Sequence, residues 1–380
     1  MELRAAPDRT RVLHALRKRV LARPDDVTAR ILLIQVYSWM KGPEASNTHL
    51  KALLARTGSN VLRSVQSRIL AAEGGRNCNI TSRHVCFPES TIQNIGFWFH
   101  QLTGPHGTKE VITKIMHVDH VGTELLFYST IRSAHPSLPQ MSPGFIDLMQ
   151  LEDLPVVLLT IERAAGTILD PTTLSADQVD ELVLAYRNIS DIPHGAVARH
   201  FGPPVTSNGL SHGYLASALH GVHTPDGFYA TTTWLREAVI GKGYLDRSAQ
   251  AVLACIDHIE RISLHEQVVP DLHYAFLHGD LHRQNVLWDQ GHTALLDWAR
   301  CTTGPRGIDL VVLLRRFGHA RLMELAARHE VIAKHDHIAQ ALFAYAMIIV
   351  SVEIDLPAIK NEAPEHLFVP AAQQVIKSLS

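Results

Sequence analysis

The chain has 380 residues, of which 46% are apolar and 19% charged, and a formal net charge of −2 at pH 7. This length allows two or three domains, and the near balance of charge gives no overall attraction to nucleic acid or to an anionic membrane. Four cysteines show neither metal-ligand spacing nor a disulfide framework, so we expect a cytoplasmic protein. The most apolar run, residues 341–352, is too short to span a bilayer and predicts a buried helix.

The first 76 residues have the pattern of helices. Apolar residues recur at helical spacing over 9–22 and over 27–40, and two further helices are expected before residue 76. Two Ala-Arg pairs, at 22–23 and 55–56, recur at a 33-residue offset, which resembles a tetratricopeptide-type helical hairpin. A plain helical extension that packs on the next domain explains the pattern equally well, so both interpretations stay open.

Short β-type runs follow the glycine-containing segment 73–77, where we expect a boundary. They cover 80–87, 96–102, 111–116 and 155–161, and from residue 174 onward the pattern is helical. Strands first and helices second predict an α+β fold with an active site between two lobes. We expect three parts: a helical N-terminal extension (1–76), a β-rich lobe (77–162) and a helical lobe with acceptor-binding helices (163–380).

The octapeptide HGDLHRQN at 278–285, followed by LLDW at 295–298, contains the clearest chemistry. Apolar runs on both sides of a turn at 289–292 predict a hairpin that brings Asp297 back toward Asn285. An Asp and an Asn suffice for Mg²⁺, which takes phosphate oxygens as further ligands. Asp280 is then left to accept the proton of an attacking hydroxyl, as phosphoryl transfer from ATP requires. The alternative is structural: Asp280 caps a helix and Asp297 ends a strand.

HGDLHRQNVLW and ALLDWARCTTGPRGIDL together resemble the aminoglycoside phosphotransferase and choline-kinase-like family, relatives of the eukaryotic-type protein kinases. The resemblance implies a bilobal protein-kinase-like fold that uses ATP and Mg²⁺. It implies that Asp280 is the catalytic base and that Asn285 and Asp297 bind the metal. It also implies that His278 braces the catalytic loop and that Asp309 holds the backbone of this loop, a helix N-cap being the alternative role of Asp309.

A phosphate-binding lysine is expected on the strand that contains VITK, residues 111–114. Lys114 would pair with Glu124 on the following helix and bind the α- and β-phosphates. An ordinary solvent-facing lysine is the alternative. Lys109, the nearest competitor, lies at the edge of the hairpin and is expected to be solvated.

Two further nucleotide contacts are predicted from order along the chain. The segment that would cover the phosphates, 88–96, lacks GxGxxG and has one glycine, so Ser90 and Thr91 are the candidate phosphate ligands, with an ordinary loop as the alternative. Glu162 and Ala164 mark the segment where such kinases present backbone amides to adenine.

The acceptor is expected to be small, because only eleven residues separate Asp297 from Asp309 and a peptide-docking activation segment needs more. A sugar, an amino alcohol or an aminoglycoside-like molecule would fit. Acidic residues such as Glu353 and Glu362 would meet a cationic acceptor or form a solvated tail. Two alternatives stay open: a protein-directed kinase that docks a protein partner on residues 1–76, and a nucleotide-binding pseudokinase scaffold without turnover.

Overall fold

The protein folds into two compact units. A computed structural model describes residues 9–41, 43–57, 60–73, 77–85, 94–118, 121–152, 154–170, 173–201, 221–241, 247–289, 292–352 and 365–380. The first unit, here the sheet unit, comprises Met1–Leu125 and Pro143–Ala164, and the second, the helical unit, comprises Leu126–Ser142 and Ala165–Ser380. The predicted three-part division at residues 76 and 162 stays a prediction.

Four helices open the sheet unit, as the apolar spacing predicts. They are α1 (Arg9–Ala22), α2 (Val27–Lys41), α3 (Pro43–Leu54) and α4 (Val61–Ala72). Polar caps satisfy the first-turn amides of two of them: Asp26 Oδ1 accepts the N–H of Ala29 at 2.8 Å, and Asn60 accepts the N–H of Arg63 at 3.1 Å. The tetratricopeptide likeness of this segment stays a prediction.

An antiparallel five-stranded sheet follows in the order β1-β2-β3-β5-β4. Its strands are β1 (Asn79–Val85), β2 (Asn94–Gly104), β3 (Gly107–His117), β4 (Phe145–Leu151) and β5 (Val156–Glu162). Four of them coincide with predicted runs. Sequence reasoning missed β4, an edge strand in which only Leu151 is buried, because the apolar alternation of such a strand is weak.

The helices and the sheet of this unit share one hydrophobic core. Apolar side chains of α2, α3 and α4 pack in the same cluster as those of β2, β3 and β5; its fully buried members include Ile34, Leu53, Ile69, Val111, Ile115, Val156 and Leu158. This is the packing that the plain-extension interpretation expects.

Over its described residues, the helical unit contains the remaining helices and two small sheets. Its longer helices are α8 (Ala176–Ser190), α10 (Pro225–Gly241), α11 (Arg247–Arg261), α14 (Ile308–Leu314), α15 (His319–Arg328), α16 (His337–Val350) and α17 (Glu365–Ser378). The short ones are α5 (Glu124–Leu126, which straddles the unit boundary), α6 (Arg132–Ala134), α7 (Leu138–Met141), α9 (His194–Val197), α12 (Leu264–Gln267) and α13 (Pro270–His273). Residues 341–350 are buried in α16, which confirms the predicted buried helix. No helix of the described residues is long and apolar enough to cross a membrane.

The two small sheets hold the segments that carry the HGD and LLDW motifs. β7 (Tyr274–Leu277) pairs antiparallel with β10 (Thr302–Pro305). β8 (Val286–Asp289) pairs with β9 (His292–Leu295) and with β6 (Thr167–Ile168), and Asp289 lies opposite His292. The predicted hairpin is therefore confirmed.

Candidate active site

The loop that carries the HGD motif is fixed through its backbone. It leaves the buried strand β7, and the N–H groups of His278 and Gly279 donate to Asp309 Oδ2 and Oδ1 at 2.8 and 3.1 Å. Asp309 lies in the first turn of α14 and is 1% exposed. Burial raises the pKa of Asp309 to about 7, although both N–H bonds act in the opposite direction. This geometry is the one that the predicted loop-holding role of Asp309 requires.

His278 connects this loop to the segment that carries Asp297. Its Nε2 lies 2.8 Å from the carbonyl oxygen of Leu296, and because a carbonyl only accepts, Nε2 carries the proton. Nδ1 then accepts the N–H of Asp280 at 3.3 Å. The buried ring lies 4.6 Å from that of Trp298. His278 therefore links the loop to this segment through both ring nitrogens, and its bracing role stays a prediction.

The structure brings the three predicted reaction residues to adjoining positions. Asn285 Nδ2 donates to the carbonyl oxygen of Asp280 at 2.9 Å. The carbonyl of Asn285 in turn accepts the N–H of Leu296 at 2.8 Å, directly before Asp297. Asp297 has a φ of 60°, a left-handed conformation that Asp adopts more readily than most residues.

The donor atoms at this point suit a hard divalent cation. Since the side-chain nitrogen of Asn285 is directed at Asp280, the amide oxygen is its remaining ligand atom. No group of three or more His, Cys, Asp or Glu side chains that could hold a metal ion occurs among the described residues. Mg²⁺, however, needs only one or two protein oxygens when phosphates and water complete its shell. The oxygens of Asn285 and Asp297 fit that ion.

Two basic residues that sequence reasoning missed surround Asp280. Arg300 Nη1 lies 3.1 Å from Asp280 Oδ2, and His282 Nε2 lies 3.9 Å from Oδ1. Burial raises the pKa of Asp280, the neighbouring Arg300 and His282 oppose that rise, and the carboxylate of Asp297 adds to it. The sequence signal for Arg300 is its place three residues after Asp297, in a segment already predicted to return to the loop.

In the sheet unit, the structure brings Lys114 and Glu124 together. Lys114 lies on β3, and Glu124 is the first residue of α5. Lys114 Nζ lies 2.5 Å from Glu124 Oε1. The Lys114 side chain is 11% exposed and that of Glu124 1%. A buried ammonium held by one carboxylate is the arrangement expected of a phosphate-binding lysine.

Lys109, which is expected to be solvated, has a side chain that is 41% exposed and also forms two ion pairs. Its Nζ lies 2.7 Å from Glu73 and 2.6 Å from Glu162, and the hydrogen bonds to both carboxylates raise the pKa of Lys109 against the effect of burial. The side chain of Glu162 is therefore engaged in an ion pair.

Among the described residues, one amide near the predicted adenine contact has no hydrogen-bond partner. The amides of Glu162 and Arg163 donate to the carbonyls of Gly144 and Glu110, whereas no described residue accepts a hydrogen bond from the amide of Ala164. The other predicted nucleotide contacts, Ser90 and Thr91, lie outside the described residues.

Comparison with known proteins settles the family. Residues 142–341 match the model of the phosphotransferase enzyme family (APH), more than half of the chain. The chain belongs to the phosphotransferase enzyme family. This confirms the resemblance stated above and the kinase-like α+β fold.

Solved structures of several phosphotransferases are also similar. A spectinomycin phosphotransferase, APH(9)-Ia, in complex with ADP and spectinomycin shares 14% identity at a TM-score of 0.43, over 78% of this chain and 88% of that one. The amicoumacin kinase hAmiN, with AMP-PNP, Ca²⁺ and its ligand, shares 13% identity at a TM-score of 0.42, over 83% and 96%. An aminoglycoside-3'-phosphotransferase of type VIII shares 17% identity at a TM-score of 0.37, over 84% and 97%. No curated protein matches the chain.

Proposed function

We propose that this phosphotransferase transfers the γ-phosphate of ATP to a hydroxyl group of a small molecule. The observation that carries the proposal is the arrangement around Asp280: a carboxylate paired with Arg300, beside the amide of Asn285 and the carboxylate of Asp297. Family membership supports the reaction type.

Asp280 acts as the general base. Its carboxylate accepts the proton of the acceptor hydroxyl while that oxygen bonds to the γ-phosphorus, and the bond between the γ-phosphorus and the bridging oxygen breaks to release ADP. Arg300, 3.1 Å away, favours the ionised carboxylate and fixes its direction. General-base assistance of this kind contributes roughly 10²–10⁴ in rate.

In the sheet unit, one side chain and one backbone amide contact the nucleotide. Lys114, fixed by Glu124 at 2.5 Å, binds the α- and β-phosphates, and the amide of Ala164 binds adenine. In the helical unit, Asn285 and Asp297 would hold Mg²⁺, which would offset the negative charge of the phosphates. His278 and Asp309 keep the loop in place through the hydrogen bonds described above.

An acceptor screen tests the proposal. ADP release from Mg-ATP would be measured against a library of hydroxyl-bearing metabolites, with Asp280→Asn as the blank. We expect acceptor-dependent release that falls at least 100-fold in Asp280→Asn, in line with a loss of roughly 10²–10⁴ when a general base is removed.

Asp257→Asn is the matched control. Asp257 lies on α11, outside the loop, and pairs with Arg236, so the substitution removes an Asp–Arg pair at another place in the same unit. This variant should retain full turnover. ADP release that no acceptor stimulates, or an Asp280→Asn protein as active as this control, would refute the proposed function.

A further inference from the structure

A cavity of about 530 Å³ lies in the helical unit directly beside the HGD loop. One wall is the loop itself, at His282, Arg283 and Gln284, and the other is the end of α14 with the turn that follows it, residues 312–317. This volume is in the range of roughly 300–1,000 Å³ that is typical of small-molecule sites.

The charges that line this cavity are mainly positive. Arg283, Arg315 and Arg316 line it, and Asp170 is the one acidic residue among its described lining residues. Arg315 donates to the carbonyl of Val312 at 2.8 Å. The side chains of Arg283 and Arg316 are exposed, and neither forms an ion pair with a described residue. Guanidinium groups gathered around one concave surface repel each other, and an anion removes that repulsion.

An apolar surface completes the cavity. Leu313, Leu314 and Phe317 line it, and Phe317 remains 37% exposed. A ligand that fits this lining combines an anionic group with a hydrocarbon part.

The cavity shares one residue with the surroundings of the base. His282, which lines it, lies 3.9 Å from Asp280 Oδ1. A ligand in this cavity would therefore contact a residue that itself neighbours the base. A polycationic acceptor, in contrast, would place its ammonium groups against Arg283 and Arg316, which costs binding energy.

We propose that this cavity binds the acceptor, and that the acceptor is an anionic alcohol whose carboxylate or phosphate is bound by Arg283 and Arg316. This inference rests on the proposed function and specifies its substrate class. It favours an acceptor opposite in charge to a cationic aminoglycoside. Glu353 and Glu362, the acidic candidates for a cationic acceptor, lie outside the described residues.

Turnover with matched acceptors gives the first test. ADP release would be measured with hydroxy acids, phosphorylated alcohols, their neutral amides or esters, and aminoglycosides. We expect turnover with an anionic acceptor, a KM for it at least tenfold higher in Arg283→Gln and Arg316→Gln, and a KM for ATP within twofold of the unmodified protein. Comparing the hydroxy acids with the phosphorylated alcohols shows whether the anionic group of the acceptor is a carboxylate or a phosphate.

Arg261→Gln serves as the matched control, because Arg261 is an exposed arginine of the same unit that does not line the cavity. Turnover restricted to neutral or cationic acceptors would overturn the inference and leave the proposed function standing. An unchanged KM for the anionic acceptor in both cavity variants would do the same.

Calorimetry gives a second test that needs no turnover. Inorganic phosphate would be titrated into protein saturated with Mg-ADP, which occupies the nucleotide site. We expect binding by the unmodified protein and by Arg261→Gln, and at least tenfold weaker binding by the Arg283→Gln/Arg316→Gln double variant. If no acceptor is phosphorylated but phosphate binding follows this pattern, the proposed function is wrong and the cavity is still an anion-binding site. If phosphate does not bind, or binds all the variants equally, the cavity is not an anion-binding site.

Discussion

Gly279 sets the path of the HGD loop at the residue scale. Its φ is 80°, and a Cβ at this position would lie 2.0 Å from the carbonyl oxygen of Arg300. Gly318 has nearly the same φ, 83°, with nothing within 4 Å of the equivalent Cβ. The two glycines therefore share a positive φ and differ in the space around it.

Alanine at these two positions separates backbone strain from collision. Each substitution should cost about 1–3 kcal/mol for the positive φ alone, and Gly279→Ala should cost more and reduce turnover at least tenfold because the loop must move. Chemical denaturation and kcat measure both effects. Equal losses of stability and activity in Gly279→Ala and Gly318→Ala would show that the collision is unimportant.

Lys114 offers a second comparison between similar residues. Both Lys114 and Lys109 lie on β3 and pair with carboxylates, but Lys114 is buried against Glu124, whereas Lys109 is 41% exposed and bridges Glu73 and Glu162. Lys114→Met should raise the KM for ATP at least tenfold, and Lys109→Met should leave it within threefold. Initial rates at varied ATP concentration measure these KM values. Similar KM values for the two variants would show that Lys114 does not bind the nucleotide.

At the scale of elements, a row of hydrogen-bonded polar side chains connects four strands of the five-stranded sheet. His100 on β2 bonds Ser82 on β1 at 2.7 Å and Thr113 on β3 at 3.0 Å, and Thr113 bonds Thr160 on β5 at 2.9 Å. Gln66 of α4 donates to Ser82 at 2.9 Å. Hydroxyl groups can act as donors or acceptors, so these side chains can satisfy both ring nitrogens of a neutral His100 imidazole in the interior.

This buried histidine makes the stability of the sheet unit depend on pH. His100 is 1% exposed, and burial lowers the pKa of His100 from 6.5 to about 4. Below pH 6.5 the unfolded chain binds a proton that the folded chain excludes, so the free energy of unfolding falls as the pH drops from 6.5 through 4. The full shift corresponds to about 3 kcal/mol.

Thermal unfolding between pH 7.5 and 4.5 measures this effect. His100→Gln should flatten the acid side of the profile relative to the unmodified protein, while His106→Gln, at the exposed β2–β3 turn, should leave its shape unchanged. Identical profiles for the two variants would exclude His100 as the source.

For the whole molecule, local patterns predicted most elements and the positions of several candidate residues. The helical spacing of apolar residues predicted α1 to α4, and the turn signal at 289–292 predicted the β8–β9 hairpin. The order of strand and helix along the sequence predicted the pair of Lys114 and Glu124. Such features depend on residues close in sequence, and so a periodicity or a turn signal records them.

Contacts between distant segments left no such trace. Trp298 stacks on Phe127 with ring centroids 3.9 Å apart, although 171 positions separate them in the sequence, and neither residue has a local signal for the other. The cationic cavity likewise combines the HGD loop with the end of α14. Docking of a protein partner on residues 1–76, and a cytoplasmic location, stay predictions.

The separate roles of Asp280 and Asp297 are tested most directly by the affinity for Mg-ATP. Calorimetric titration should give Asp280→Ala a dissociation constant within threefold of the unmodified protein, because a general base does not hold the nucleotide. Asp297→Ala should bind at least tenfold more weakly, because it loses a metal ligand. Unweakened binding by Asp297→Ala, or an equal loss in both variants, would contradict the assignment of base and metal ligand.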